Sequence, residues 1–361
     1  MISSLVFAAL VWCPPVQAGH NAPAQISGLP RNAYVTCIAQ VGHHAFVGTR
    51  SDGLWRLTED SDVAYAIGGL DRCCIECIAQ INATEALVGT RNRGLWRVNE
   101  SRRVATQIAA VSRTATIFTI TPDETATRAI ISLKGAGIRA LDLKTNTSEK
   151  ISGIPDDLKM DPLPLDTNKV LNGGGRTLIA CGGIWSIPDN SPTATQIASG
   201  KAINYRCLAP TERATVIGGR GGVWSLNDDS SNLSKLVDLP MDEVQIMSRP
   251  LARGAYFGIL STAKGDTFCL SGRSLSKLAD TGPTDANLTA LSESHPETFI
   301  IDLTGGLCQL EGKSERRVWV NGEATLMRRA GVRLCLLLGG RLLVGTQANG
   351  LWIVRSPAQS N

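Results

Sequence analysis

The stretch V-G-T-R-S-D-G-L-W-R at residues 47–56 decides the fold, because copies of it return along the whole chain. Close copies are V-G-T-R-N-R-G-L-W-R at 88–97, I-G-G-R-G-G-V-W-S at 217–225 and V-G-T-Q-A-N-G-L-W-I at 344–353. Weaker ones are I-S-L-K-G-A-G-I-R at 131–139, A-C-G-G-I-W-S at 180–186, S-T-A-K-G-D-T-F at 261–268 and D-L-T-G-G-L-C at 302–308. Their aligned glycines are Gly53, Gly94, Gly137, Gly183, Gly222, Gly265, Gly306 and Gly350, in steps of 39 to 46 residues. A repeat of this length built from short apolar runs reads as a β-propeller.

Working outward from one copy gives the unit. Glu76–Ile81 reads as an inner strand A, Glu85–Gly89 as B, Leu95–Asn99 as C and Val104–Ala109 as D, with a hairpin at Arg91-Asn92-Arg93-Gly94. Glycine at that turn supplies a positive φ. Trp55, Trp96, Trp185, Trp224 and Trp352 share one position in strand C and are expected to wedge between neighbouring sheets. Arg139, Thr267 and Cys308 take that slot in three units, which should pack less well. The expectation is an all-β chain forming one propeller at 19–361, with eight four-stranded blades, or seven if 240–275 or 284–312 is irregular. Q-I-S-G-L-P at 25–30 is a near twin of K-I-S-G-I-P at 150–155, while the last unit stops after its strand C at Arg355. Gln25–Pro30 is therefore expected to supply the missing outer strand of the last blade and so close the ring.

Composition fits this reading. The chain has 361 residues, 36 glycines and only 5% aromatics, which suits many short strands and tight turns. A net charge of +4 implies no nucleic-acid partner. Residues 1–18, with an apolar run from Leu5 to Trp12 and a small-residue cleavage site at Val16-Gln17-Ala18, read as a secretory leader. No stretch is long enough to span a bilayer. The mature protein is expected to be secreted or periplasmic, and monomeric. Sequons stand at Asn82, Asn99, Asn146, Asn232 and Asn287. Cys37, Cys77, Cys207 and Cys335 recur just ahead of the V-G-T or I-G-G glycines and read as buried thiols at one repeat position.

Sorting charges by turn exposes an asymmetry that the small net charge conceals. The B–C turns carry Arg50, Arg91, Arg93, Lys134, Arg220 and Lys264, and the D–A links on the same face add Arg72, Arg113, Lys201, Arg328 and Arg329. The A–B and C–D turns carry Glu59, Asp60, Asp62, Glu85, Glu100, Asp123 and Asp189 among other acids, offset by basic residues such as Arg102 and Arg103. Guanidinium groups ringing a channel mouth can hold carboxylate, sulfate or phosphate. Arg50, Arg72, Arg91, Arg93, Arg113, Lys134, Arg220 and Lys264 are the candidate site; as solvated loop charges they would serve only solubility.

Catalytic chemistry finds little footing. Four histidines form no Ser-His-Asp pattern and no H-E-x-x-H occurs. His43-His44 beside Glu59 or Asp60, and Cys73-Cys74-Ile75-Glu76-Cys77, are the metal-like clusters, and each lacks a second set of ligands at usable spacing. No cofactor is called for.

The V-G-T-x-x-x-G-L-W-R repeats at 47–56, 88–97 and 344–353 resemble those of two-component-regulator-type propellers, and more distantly WD40 repeats. The first resemblance implies a periplasmic or secreted ligand-sensing ring. No kinase, transcription-factor or membrane segment follows Asn361, so a stand-alone propeller is expected. Two functions stay open: a non-catalytic module binding a protein or anionic glycan through the basic face, and a polysaccharide hydrolase or lyase using carboxylates such as Asp52, Asp71 or Asp266.

Overall fold

Glycine turns alternating with short Val, Ile and Leu runs favour strands, and among the described residues of the computed structural model every regular element is a β-strand. It describes residues 24–155 and 170–355 except 124, 174, 181, 190, 200–204, 206, 211–213, 228–231, 248–257, 263–265, 272–273, 281–297, 302–306, 312–313, 317–331 and 340. The expected leader lies outside the described residues.

The first sheet runs in chain order through Val35–Val41, His44–Thr49, Leu54–Thr58 and Tyr65–Ala66, all antiparallel. The second repeats it with Ile75–Gln80, Glu85–Thr90, Leu95–Asn99 and Thr106–Ile108, within a few residues of the expected bounds. Two more four-stranded sheets follow over 117–150 and 170–199. Cys207–Pro210, Ala214–Asn227, Leu233–Met247, Gly258–Thr262, Asp266–Ser271 and Ser274–Asp280 form one six-stranded sheet, because Leu233–Met247 is shared between two repeat units. Thr298–Ile301, Leu307–Glu311 and Ser314–Arg316 make a three-stranded sheet. In the last, Val332–Leu338, Arg341–Thr346 and Leu351–Arg355 are joined by Ala24–Gln25 as outer strand.

That N-terminal pairing is shorter than the expected Gln25–Pro30. Ala24 faces Ile353, Gln25 faces Trp352, and the Ile26 amide donates to Leu351 O at 2.9 Å. Gly28 then adopts a φ of 84° and the chain turns away. Ser27 leaves the last sheet and bridges the first: its amide donates to Asp62 O at 3.0 Å and its carbonyl accepts from the Ala64 amide at 2.8 Å. Gly68 grips Arg103 and Ala105 in the same way, and Ser152 grips Pro192 and Ala194. The residue after an outer strand thus clips onto the outer strand of the next sheet. This explains why I-S-G occurs twice.

The V-G-T motif has two separable causes. Thr49 is fully buried; its hydroxyl donates to Gly53 O at 2.8 Å and accepts from the Asp52 amide at 2.9 Å, locking the B–C hairpin. Thr90 and Thr346 donate to Gly94 O and Gly350 O at 2.7 and 2.8 Å. The turn glycines have the expected positive φ, 84° at Gly53 and 71° at Gly94. The motif glycine answers to space instead: a Cβ on Gly48 would lie 2.5 Å from Cys37 Sγ and 2.7 Å from Ile75 Cγ2 of the second sheet.

Cys37, Cys77 and Cys207 do face Gly48, Gly89 and Gly218. Cys335 departs from the expectation. It faces Val344, and Leu334 takes the place opposite Gly345. Burial pushes the Cys37 thiol up to about 12 and raises Cys77 well above its ordinary value.

The core lies between sheets. Ile26, Leu29, Val35, Leu57 and Leu343 join the last sheet to the first, and Phe46, Leu54, Ile67, Ile75 and Val88 join the first to the second. Each such large side chain contributes about 1.5–3 kcal/mol by burial. Trp55 packs on the first cluster and Trp96 on the second, while Trp185 lies in a cluster with Ile130, Ile138 and Ile151 of the preceding sheet. In the third sheet Arg139 turns to its own outer strand, donating to Ser148 Oγ at 2.9 Å and Ser148 O at 2.8 Å. Successive inner strands lie against one another from Val35–Val41 through Cys207–Pro210, and Val332–Leu338 lies against Val35–Val41.

Candidate functional site

The hairpins that glycine and threonine fix also fix what they carry. In three consecutive sheets the first hairpin residue is a cation, and its amide donates to the residue just ahead of its own sheet's inner strand: Arg50 to Tyr34 O at 2.9 Å, Arg91 to Cys74 O at 2.9 Å and Lys134 to Thr116 O at 3.0 Å. Each side chain is exposed. Arg50 stacks over the Tyr34 ring at 5.3 Å from its centroid. Arg91 pairs with Glu76, whose carboxylate raises the arginine's pKa further. Arg93 reaches Asp71 O at 3.4 Å, which places it beside Arg72. Arg72 holds a φ of 55°, uncommon for a residue with a Cβ. Arg113 and Arg220 are also exposed. Lys264, Lys201, Arg328 and Arg329 lie outside the described residues.

An inner-strand irregularity escaped the sequence reading. The ladder slips between Val35 and Cys37, Ile75 and Cys77, Ile117 and Thr119, Val244 and Ile246, and Val332 and Leu334. Thr36, Glu76, Phe118, Gln245 and Arg333 are therefore left unpaired at one repeated position, as bulges leave residues. Glu76 is the informative case. Its side chain is only 15% exposed, takes Arg91, and lies 3.6 Å from Cys74 Sγ. Burial, with the Glu76 charge, pushes the Cys74 thiol up to about 11. Cys73 is raised by burial too, and Cys37, Cys73, Cys74 and Cys77 are free thiols.

The opposite face differs from its expected acidity. Arginines that the sequence places inside strands reach its turns. Arg56 donates to Glu100 O of the second sheet, and Arg97 to Leu143 O of the third at 2.7 Å. Arg128 donates to Ser191 O and Arg176 to Asn227 O, both at 2.7 Å, and Arg341 grips Glu59 O and the Asp62 carboxylate of the first sheet. Each fastens the C–D turn of the following sheet. Burial, then the nearby Arg103, lowers the Arg56 pKa. The Nε atoms of Arg56 and Arg97 are buried without a hydrogen-bond partner. The arginine closing G-L-W-R in two copies was the available signal.

On that face His43 meets Glu59 at 3.2 Å and His44 meets Glu100 at 3.3 Å, so the pair divides between two sheets. Among the described residues no three potential ligands gather around a metal position. Asp52 accepts the Ser51 hydroxyl at 3.0 Å. No helix of the described residues is long and apolar enough to cross a membrane.

The sequence matches no protein-family model and no curated protein. Its structure is similar to several propeller-type ones. The computationally designed Ika8 protein superposes with a TM-score of 0.66 at 10% identity, over 93% of this chain and all of that one. BamB from Moraxella catarrhalis gives 0.59 at 12% identity, over 96% of this chain and 98% of that one. The extracellular domain of the putative one component system BT4673 from B. thetaiotaomicron gives 0.55 at 14% identity, over 93% of this chain but only 40% of that one. At these identities the likeness is one of fold.

Proposed function

We propose that the protein is an eight-bladed propeller, closed by its N-terminal strand, that works as a non-catalytic binding module. It is exported after loss of residues 1–18, leaves 19–361 as one monomeric domain, and meets a protein or anionic glycan through the face carrying Arg50, Arg72, Arg91, Arg93, Arg113, Lys134, Arg220 and Lys264. The likeness to an extracellular sensor domain supports both export and binding. The observation that carries the reading is a division of labour among arginines. Arg56, Arg97 and Arg128 on the C–D side are committed to backbone carbonyls of the next sheet, whereas the B–C cations are exposed, Arg50 over the Tyr34 ring and Arg91 beside Glu76. Solvent-facing guanidinium groups at fixed hairpin positions are ready to take carboxylate or sulfate bidentately.

Heparin-resin retention tests it. Replacing Arg50, Arg91 and Arg220 with Ser should bring elution to clearly lower salt, because each cation that meets the polyanion releases counterions. Elution at the same salt as the parent protein removes the basic face from consideration.

A further inference from the structure

Resting on that binding reading, we propose that the ligand is a polyanionic glycan chain lying along the rim of the first three sheets, and not a single small anion held in the channel mouth. Arg50, Arg91 and Lys134 stand at the same hairpin position, one per sheet, and their amides are anchored by equivalent hydrogen bonds. Arg50, Arg91 and Lys134 are carried by three separate sheets, whereas a compact sulfate or phosphate site needs its cations gathered on one anion. Repeated spacing instead suits a polymer with repeated charge.

The intervals between these cations are filled in kind. Arg72 and Arg93 meet around the Asp71 carbonyl, and Arg113 lies in the link beside Gly94. Arg91 stands over the link before the second inner strand, its amide on Cys74 O and its side chain on Glu76. Glu76, at the bulge of the second inner strand, pairs with Arg91, so a polyanion would compete with that carboxylate for the Arg91 guanidinium. Single-stranded nucleic acid would need aromatic platforms on this surface. Tyr34 lies under Arg50, while Trp55 and Trp96 pack against clusters between sheets.

Titration with size-defined heparin fragments decides the matter. A decasaccharide should bind at least about tenfold more tightly than a disaccharide, and the salt dependence of its affinity should fall by about one power of salt for each of Arg50→Ser, Arg91→Ser and Lys134→Ser. The charge-keeping triple Arg50→Lys, Arg91→Lys, Lys134→Arg should keep most of the affinity. Removing equal charge from the other face, with Arg102, Arg103 and Lys144 changed to Ser, should leave the salt dependence as it was. Equal affinity for both lengths, or an unaltered salt dependence in the rim triple, overturns the rim track while leaving the basic-face reading standing. Oligothymidylate binding as tightly as heparin overturns the choice of glycan. No binding to any fragment removes the parent reading as well.

Discussion

The first two sheets and the six-stranded sheet are built from the same repeat, yet one region divides cleanly and the other runs together. In the first two, Thr49 and Thr90 lock the hairpins, Gly53 and Gly94 turn them, and Gly68 clips one outer strand to the next. In the six-stranded sheet the threonine position is Gly219, and B and C merge into one 14-residue strand, Ala214–Asn227. The following outer strand ends in Leu239-Pro240-Met241 with no I-S-G or I-G-G, and continues into the next inner strand. Apolar alternation is enough to make strands. Separating them into sheets takes hydroxyls and glycines placed at turns.

The largest effect that would break this contrast is at the clip glycines. A Cβ on Gly28, with φ +84°, would lie 2.1 Å from Ala64 O, whereas Gly221, with φ +88°, has nothing within 4 Å of its own. Gly28→Ala should therefore cost about 3 kcal/mol or more in denaturant unfolding, strain and collision together. Gly221→Ala should cost about 1 kcal/mol, from strain alone. Equal costs would mean that the clip contributes nothing to holding the first sheet to the last.

A smaller effect follows from the thiols opposite the motif glycines. An unfolded thiol ionises near its ordinary value of 9.0, but Cys37 stays protonated until about 12. Above pH about 9 the unfolded state thus binds fewer protons, and stability falls by up to about 1.4 kcal/mol per pH unit per thiol. Below that pH the contribution is fully present. Comparing Cys37→Ala with the parent between pH 8 and 10.5 should show a shallower decline in the variant; parallel declines would refute burial of this thiol.

The smallest effects concern the hairpin hydroxyl and run in opposite directions. Thr49→Val removes a buried donor and leaves the Asp52 amide without its acceptor, costing about 1–2 kcal/mol. Gly219→Thr installs the missing hydroxyl and should stabilise by about 1 kcal/mol. Losses in both variants would show that the fifth hairpin differs by more than one residue.

Much of the architecture was legible because the V-G-T-x-x-x-G-L-W-R copies report hairpin, spacing and the buried face at once. The N-terminal outer strand was found from its I-S-G twin, although only Ala24 and Gln25 pair where Gln25–Pro30 was expected, because the same letters encode strand and clip. Cys335 stands one residue nearer its motif glycine than Cys37 does, so it takes the next rung although both inner strands carry the same bulge. The loop cations could be singled out as candidates from the sequence. The reach of the arginines opposite could not, since Arg56 and Arg97 stand inside strands and only three dimensions show where a long side chain ends. Glu76 was noted only within the Cys73–Cys77 run, and neither its place at a bulge nor its pairing with Arg91 leaves a mark in the sequence.

Ala24 and Ile353 share a rung of one ladder, so the first and last described strands are neighbours in space. Segments from opposite ends of the described residues thus complete a single sheet, which lacks its outer strand until the two have met.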